Sequence, residues 1–491
     1  MATTAEAVRE YQQYIGGAWT SAADGSTFED RDPFTGDVVA TVPAGGADDA
    51  RRAIEAAADA FRSWSATPPA ERQRIFLKAA DLLESRRDEV VSLLARETGC
   101  TFGFGMFQMG FVPGLFRQAA AAPYVPIGEV IPSDSPGTFA MGLRRPVGVV
   151  GAIAPWNAAL ILSARSLAAP LALGNAVVLK PSEWSPVAGG LIWGEIFADA
   201  GLPNGVLNIV THAPGRAGDI GDELVSHPSV RRINFTGSTT VGRKLAEAAG
   251  RHLKRIVLEL GGYNPLIVLA DADVDYAVNA AAFGAFLHQG QICMSARRVL
   301  VERSIANDFL AKLTEKTKTL KAGDPKEPDT IIGPLITPEA LATVKGRVDD
   351  AVAKGARVLA GGDAIGPCYQ ATLVADVPED SELAQRETFG PVLAVEVVGN
   401  AEEAVARANA TAYGLASGVL TSDPDRGLTL ANQLEAGVVH VNDQPVGDEP
   451  QMPFGGVKDS GWGRFGGRAV IDEFTDLHWI TVQSGTHPYP F

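Results

Sequence analysis

The spacing of apolar positions changes near Ala47 and again near Val147. From Ala47 to Trp64, apolar residues fall at Ala50, Ile54, Ala57, Phe61 and Trp64, three or four apart, which builds one buried helical face. Pro68–Pro69 then opens a second helix, expected to run to about Glu97 and to stop near Gly99. Residues 101–109, rich in Gly, Phe and Met, read either as a flexible wall of an apolar pocket or as plain helix packing. Beyond Val147, short apolar runs alternate with helical stretches: 147–154, 176–180, 206–210, 232–235 and 256–258. Runs that are apolar on both faces are strands covered from both sides, so this alternation predicts a doubly wound parallel sheet with its ligand crevice at the carboxyl ends of the strands. A second series (265–269, 299–301, 357–359, 392–397 and 438–441) predicts a second α/β domain. Residues 1–45 read as short strands and turns, exemplified by Tyr14–Ile15–Gly16–Gly17.

The stretch 123–143, rich in Pro, Gly and Ser, interrupts the first series. A structureless loop of about 20 residues is improbable inside a compact domain. A protruding β arm is the better expectation, with residues 479–482 of the tail pairing to it. Exposed apolar edges of this kind are covered by another subunit, so a homodimer or homotetramer is expected.

Composition narrows the function classes. With 491 residues, 46% of them hydrophobic and 20% charged, the chain has the make-up of an ordinary globular protein of roughly three domain-sized units. Its net charge of −16 invites neither nucleic acid nor an anionic membrane. Cys100, Cys293 and Cys368 are far apart and odd in number, which argues against a disulfide framework and for a reducing, cytoplasmic setting. No Cys/His cluster has zinc spacing, so no metal is expected. The opening Met1–Ala2–Thr3–Thr4–Ala5–Glu6 lacks the basic and apolar regions of a signal peptide. The most apolar stretch, 147–162, is broken by Pro155 and Asn157 and is too short to span a bilayer.

Polar residues cluster where the predicted strands end. Ala154–Pro155–Trp156–Asn157 follows the first strand, and Lys180–Pro181–Ser182–Glu183 ends the second. Phe235–Thr236–Gly237–Ser238 ends the fourth, and Leu258–Glu259–Leu260–Gly261–Gly262 the fifth. The glycines at 237 and 242 have Walker-loop spacing, but Arg243 and Lys244 stand where its Lys and Ser/Thr belong, and no G-x-G-x-x-G follows the first strand. Gly237–Ser238 before a helix reads either as a pyrophosphate seat or as an ordinary capped turn. Glu183 reads either as an acceptor for adenosine ribose hydroxyls, favouring NAD over NADP, or as a solvated helix-start acid. Lys180 either reaches the same ribose or is a surface charge. Glu259, inside an apolar run, is either a base with a raised pKa or half of a structural ion pair. Cys293 lies in the polar loop Gln289–Gly290–Gln291–Ile292–Cys293–Met294–Ser295, unlike a cysteine that merely fills a core.

Seven ordered motifs carry a resemblance. Leu258–Glu259–Leu260–Gly261–Gly262 places its glutamate 34 residues before the cysteine of Gly290–Gln291–Ile292–Cys293. Pro155–Trp156–Asn157, Lys180–Pro181–Ser182–Glu183 and Phe235–Thr236–Gly237–Ser238 precede them. Glu387–Thr388–Phe389–Gly390–Pro391 and Pro453–Phe454–Gly455–Gly456–Val457–Lys458 follow. Together they resemble the NAD(P)-dependent aldehyde dehydrogenase superfamily over nearly the whole chain. The resemblance implies an α/β fold of two doubly wound parallel-sheet domains plus a β oligomerisation arm. An NAD-binding domain would span 1–122 and 144–258, and a catalytic domain 259–442. The arm would comprise 123–143 with the tail 470–491, and 443–469 would return to line the active site.

It also implies roles. Cys293 would attack the aldehyde as thiolate, helped by a base or a local positive field. Asn157 and the Cys293 N–H would hold the oxyanion. Glu259 would activate the water that hydrolyses the thioester. Ile153, Ala154, Pro155, Trp156, Lys180, Ser182, Glu183, Phe235, Thr236, Gly237, Ser238, Val241, Leu260, Gly261, Glu387 and Phe389 would hold NAD. Cys100 and Cys368 lie outside every motif.

Departures from the family pattern bear on substrate. Many members carry a bulky aromatic where this chain has Ala158, and a Lys/Glu pair where it has Ser166 and Phe465. Ser163–Ala164–Arg165–Ser166 and the segment from Asp448 to Phe454 look more like the branch acting on benzaldehyde, vanillin and salicylaldehyde. A bulky aromatic aldehyde is therefore expected, with Ala158, Ile161, Leu162, Arg165, Leu287, Ile292, Met294 and Phe454 around it. Arg165 would meet a ring hydroxyl or carboxylate, or pair with Asp448 or Glu449. The alternatives are an aliphatic or semialdehyde substrate, a CoA-acylating enzyme, which Glu259 argues against, and a catalytically silent protein on the same fold, which Cys293, Glu259 and Asn157 argue against.

Overall fold

The computed structural model describes residues 8–125 and 127–491. The opening stretch Met1–Glu6 and Pro126 of the arm segment lie outside them. The first sheet has eight strands. Its five central strands are parallel and ordered Arg255–Glu259, Val230–Thr236, Val149–Ile153, Ala176–Lys180 and Leu207–Ile209. The chain steps outward from Val149–Ile153 to one side, then crosses back to build the other. This reversal is the switch point at which a doubly wound sheet opens a crevice. Register aligns the functional strand ends: Ile153 sits opposite Lys180 and Phe235, and Thr236 opposite Glu259.

Two antiparallel additions flank this core. A hairpin of Gln13–Ile15 and Ala18–Thr20 closes one edge, turning through Gly16 and Gly17 at φ +64° and +85°. Two consecutive positive φ values suit glycine and give the twist that hairpins need. At the other edge Gly461–Trp462 pairs antiparallel with the strand bearing Glu259.

The second sheet has seven strands, six of them parallel, with Arg357–Ala360 antiparallel at one edge. Thr372–Ala375 and Ala416–Leu420 belong to it and were not among the expected strands. The arm forms a separate three-stranded sheet of Gly128–Ile131, Thr138–Pro146 and Thr475–Gln483. Its middle strand runs past 143 to Pro146, and the helix Ala469–Phe474 precedes the tail strand. Trp479, Val130 and Val482 are exposed on it.

The helix Ala47–Trp64 forms as expected, with Ala50, Ile54, Ala57 and Trp64 buried. One expectation needs correction. The single helix over 69–97 is two, Pro69–Ser85 and Arg87–Thr98. Arg86 at the break leaves helical geometry (φ −102°, ψ 19°), and its guanidinium bridges Glu89 and Glu195 at 2.6 and 2.7 Å. A long-range ion pair therefore sets a break that local periodicity does not show. Residues 101–109 resolve in favour of packing: they begin the helix Phe102–Ala121, which buries Phe104, Phe111 and Phe116.

Candidate active site

A cavity of about 280 Å³ opens at the switch point, between the two sheets. Asn157, Glu259 and Cys293 all line it, with Pro155, Trp156, Leu162, Thr236, Gly237, Ser238, Leu260, Gly261, Glu387 and Phe389. Asn157 and Cys293, 136 positions apart, thus share one wall with Glu259.

The cysteine loop is held from several sides. His288, Gln289 and Gly290 are successively left-handed (φ 50°, 54° and 66°), a costly backbone for the first two. Gln289 donates to the carbonyls of Gly99 and Pro334. Arg297 donates to those of Gly290, Ile292 and Gly390 at 2.6, 3.1 and 3.1 Å. Asn264 Nδ2 donates to the carbonyls of Cys293 and Ser295 at 2.8 and 2.9 Å. Asn157 Nδ2 donates to the Gln291 carbonyl at 2.9 Å, which leaves its second amide hydrogen for a ligand. The glycine pair after Glu259 has a steric reason. A Cβ on Gly261 would fall 2.2 Å from Glu387 Oε2, and one on Gly262 would fall 2.5 Å from the Cys293 carbonyl.

Glu259 is different. It is 2% exposed, and neither carboxylate oxygen has a hydrogen-bond partner among the described residues. The ion-pair reading therefore fails. Burial pushes its pKa up to about 8, against the pull of Arg165 and Arg464. At Cys293 the thiolate-favouring pull of Arg165 is outweighed. Burial, with the negative charges of Glu259 and Glu387, pushes that half-buried thiol up to about 12. Burial thus favours the neutral form of both groups.

A profile of the aldehyde dehydrogenase family matches residues 19–480. The chain is 48% identical to a vanillin dehydrogenase of Pseudomonas fluorescens over 97% of this chain and 98% of that protein. It is 46% identical to a salicylaldehyde dehydrogenase of Pseudomonas putida over 97% and 99%. The crystal structure of a salicylaldehyde dehydrogenase from Pseudomonas putida G7, complexed with salicylaldehyde, superposes with a TM-score of 0.96 at 44% identity, covering 99% of this chain and 100% of that one. The chain belongs to the aldehyde dehydrogenase family.

On the far side of this dehydrogenase's cavity, Glu387 accepts from the Gly262 N–H at 3.0 Å, and burial raises its pKa. Trp156 meets Phe389 edge-on at 5.7 Å, and the Arg297 guanidinium sits 5.7 Å from the Phe389 ring centre. Ile153, Ala154, Lys180, Ser182, Glu183, Phe235 and Val241 do not line the cavity itself. Ile153 and Phe235 are buried beneath it, whereas Val241, 45% exposed, sits in the first turn of the helix Thr239–Arg251. Its N–H donates to Ser238 Oγ at 3.4 Å. Lys180, the last residue of the second strand, and Ser182 and Glu183, two and three residues beyond it, form a separate ledge.

Of the expected substrate contacts only Leu162 reaches the cavity wall. Ala158, Ile161, Leu162, Ile292, Met294 and Phe454 instead share one apolar cluster against which Leu287 and Cys293 pack. Arg165 is buried and ion-paired with Asp448, with its guanidinium 4.4 Å from the ring centre of Phe454 and 5.7 Å from that of Phe111. Ser166 is tied to the Ser163 carbonyl at 2.7 Å, and Phe465 is buried near Phe474 with 6.3 Å between ring centres. Cys100 and Cys368 are buried, and burial raises both thiols.

Sequence reasoning assigned no role to Asn264, Gln289, Arg297, Arg464 or His212, although Gln289 stands in the cysteine loop. Asn264, two residues after the Gly261–Gly262 pair, was the detectable signal. Among the described residues, no group of acids, His and Cys has the arrangement of a metal site, and no helix is long and apolar enough to cross a membrane.

Proposed function

We propose that this aldehyde dehydrogenase uses NAD to oxidise a benzaldehyde-, vanillin- or salicylaldehyde-type aldehyde to its acid, through a thiohemiacetal and then a thioester on Cys293. The observation that carries this reading is the single cavity shared by Cys293, Asn157 and an unpartnered Glu259. The residues present suit a dinucleotide. The helix Thr239–Arg251 turns its N-terminus, capped by Ser238, toward the crevice, where backbone N–H groups favour phosphate. Glu387 offers a carboxylate to the nicotinamide ribose, and Phe389 with Trp156 a flat wall. Glu183, on the ledge with Lys180, accepts adenosine ribose hydroxyls and repels a 2′-phosphate, which selects NAD over NADP. When bound, the dinucleotide supplies the hydride acceptor.

The chain's own residues do the rest. Cys293 sulfur bonds to the aldehyde carbon as its proton leaves to base. The second Asn157 amide hydrogen and the Cys293 N–H hold the oxygen as charge develops on it. Glu259, ionised, takes a proton from water, and the hydroxide so formed cleaves the thioester to release the acid and the thiol. A raised pKa suits this role, since a base titrating near the working pH combines availability with strength.

Similarity to aromatic-aldehyde dehydrogenases supports the substrate class, as does the small Ala158 beside Asn157. Pairing with Asp448 withdraws Arg165 from service as a receptor for a substrate carboxylate, which weighs against an acid semialdehyde. Three unpaired cysteines suit the cytoplasm, and the exposed apolar arm suits a homodimer or homotetramer. The test is kcat/KM for benzaldehyde, vanillin, salicylaldehyde and acetaldehyde, each with NAD and NADP. An aromatic preference with NAD is expected, and a preference for acetaldehyde sinks the reading.

A further inference from the structure

The ledge that carries Lys180 and Glu183 contains a third polar group, which the site as described so far does not use. His212 lies just past the strand Leu207–Ile209, which pairs in parallel with the strand ending at Lys180. Topology thus brings it to the carboxyl edge of the sheet, where ligands of this architecture bind. Its side chain is fully buried. Lys180 Nζ meets His212 Nε2 at 2.6 Å, and Lys180 is itself 6% exposed. His212 Nδ1 lies 2.9 Å from the Ala213 carbonyl, and Glu183 Oε2 lies 3.8 Å from Nε2.

These contacts assign the tautomer. A carbonyl only accepts, so Nδ1 carries the hydrogen and donates to Ala213, and Nε2 is left with its lone pair toward Lys180. The ring is therefore a neutral acceptor facing a cation. Its surroundings agree: burial and the Lys180 charge push His212 down to about 4. An ammonium has three donors. One of Lys180's goes to His212 and one to the Pro181 carbonyl at 3.2 Å, which leaves one.

We propose that His212 is a positioning residue of the dinucleotide site. By accepting from Lys180 it aims the lysine's remaining N–H at the adenosine ribose, and it keeps the ammonium from collapsing onto Glu183. The proposal rests on the ribose reading of Lys180 and Glu183 given above. If the lysine were released, it would neutralise the neighbouring carboxylate, so both the grip on the ribose and the repulsion of a 2′-phosphate would weaken together.

The experiment compares His212→Ala, His212→Gln, Lys180→Met and Glu183→Gln in the full-length enzyme. Each is read by equilibrium titration of NAD against intrinsic fluorescence and by steady-state kinetics with NAD and NADP. His212→Ala is expected to raise Kd and KM for NAD about tenfold, the scale of one hydrogen bond to a charged group, with kcat at saturating dinucleotide unchanged. The NAD-to-NADP preference should narrow in the same variant. His212→Gln, whose side-chain oxygen can accept from Lys180, should recover most of the affinity. An unchanged Kd in His212→Ala overturns the proposal. So does a Gln variant as weak as the Ala one, because a merely space-filling ring would then explain the loss. If Lys180→Met and Glu183→Gln weaken NAD binding while His212→Ala does not, only the proposal fails. If neither of them changes Kd, the ribose reading fails and takes the proposal with it.

Discussion

The two halves of the cavity are built on opposite principles. On the nucleophile's side the backbone carbonyls of Gly290, Gln291, Ile292, Cys293 and Ser295 are each met by a side chain, from Asn157, Asn264 or Arg297. On the base's side both oxygens of Glu259 are bare and buried. The difference follows from what each group must do. A nucleophile must stand within a fraction of an ångström of its target, and only an over-determined loop holds the left-handed residues that place it there. A base must exchange a proton with water, and hydrogen bonds to its charged form would lower its pKa and its strength.

The largest test of this contrast is Glu259→Gln. Turnover should fall about 10³-fold, within the range for loss of a general base, while a burst of roughly one NADH per active site survives because the thiol still forms its thioester. A burst lost together with turnover would show that Glu259 is needed to form the thioester as well. Next is Arg297→Met, which removes two hydrogen bonds from the loop and one that ties it to Gly390, without replacing any of the cavity's reacting groups. A displacement of about 1 Å costs about a hundredfold in rate, and the loss should fall on the burst itself. An unaltered burst would show that the loop keeps its place without Arg297.

The smallest effect is that of pH. A carboxyl raised to about 8 is mostly protonated at neutral pH, so its base form grows as pH rises through that value. Thioester hydrolysis should climb about tenfold between pH 7 and 9, and a flat profile would contradict the bare-carboxylate picture. The same displacement has a stability signature with a definite sign. Between the ordinary carboxylate range and about 8 the unfolded chain binds fewer protons at this position than the folded one, so stability falls as pH rises through that window. Glu259→Gln should remove that component of the slope in thermal unfolding.

Much of the frame was legible along the chain. Five parallel strands of the first sheet could be read because each is largely buried on both faces and carries a short apolar run. Glu259 and Asn157 could be singled out because polar residues at the ends of such strands stand against their surroundings, and Cys293 because its loop is polar where a core cysteine's neighbours are apolar. The break at Arg86 could not be read, since its cause, Glu195, lies 109 positions away. Neither could the partners of Asn264: a polar residue heading an apolar strand is a signal, but its two acceptors lie 29 and 31 positions further on.

Sequence alone therefore outlined the order of elements and marked Cys293, Glu259 and Asn157 as candidates, because periodicity and side-chain chemistry are local properties. Tertiary structure decided which protonation each group rests in and what holds it. A pKa depends on what surrounds a group in space, and the chain is silent about that until distant segments meet. Lys180 and His212 show it most simply. They are 32 positions apart, only Lys180 stood out along the chain, and they are 2.6 Å apart once two parallel strands are laid side by side.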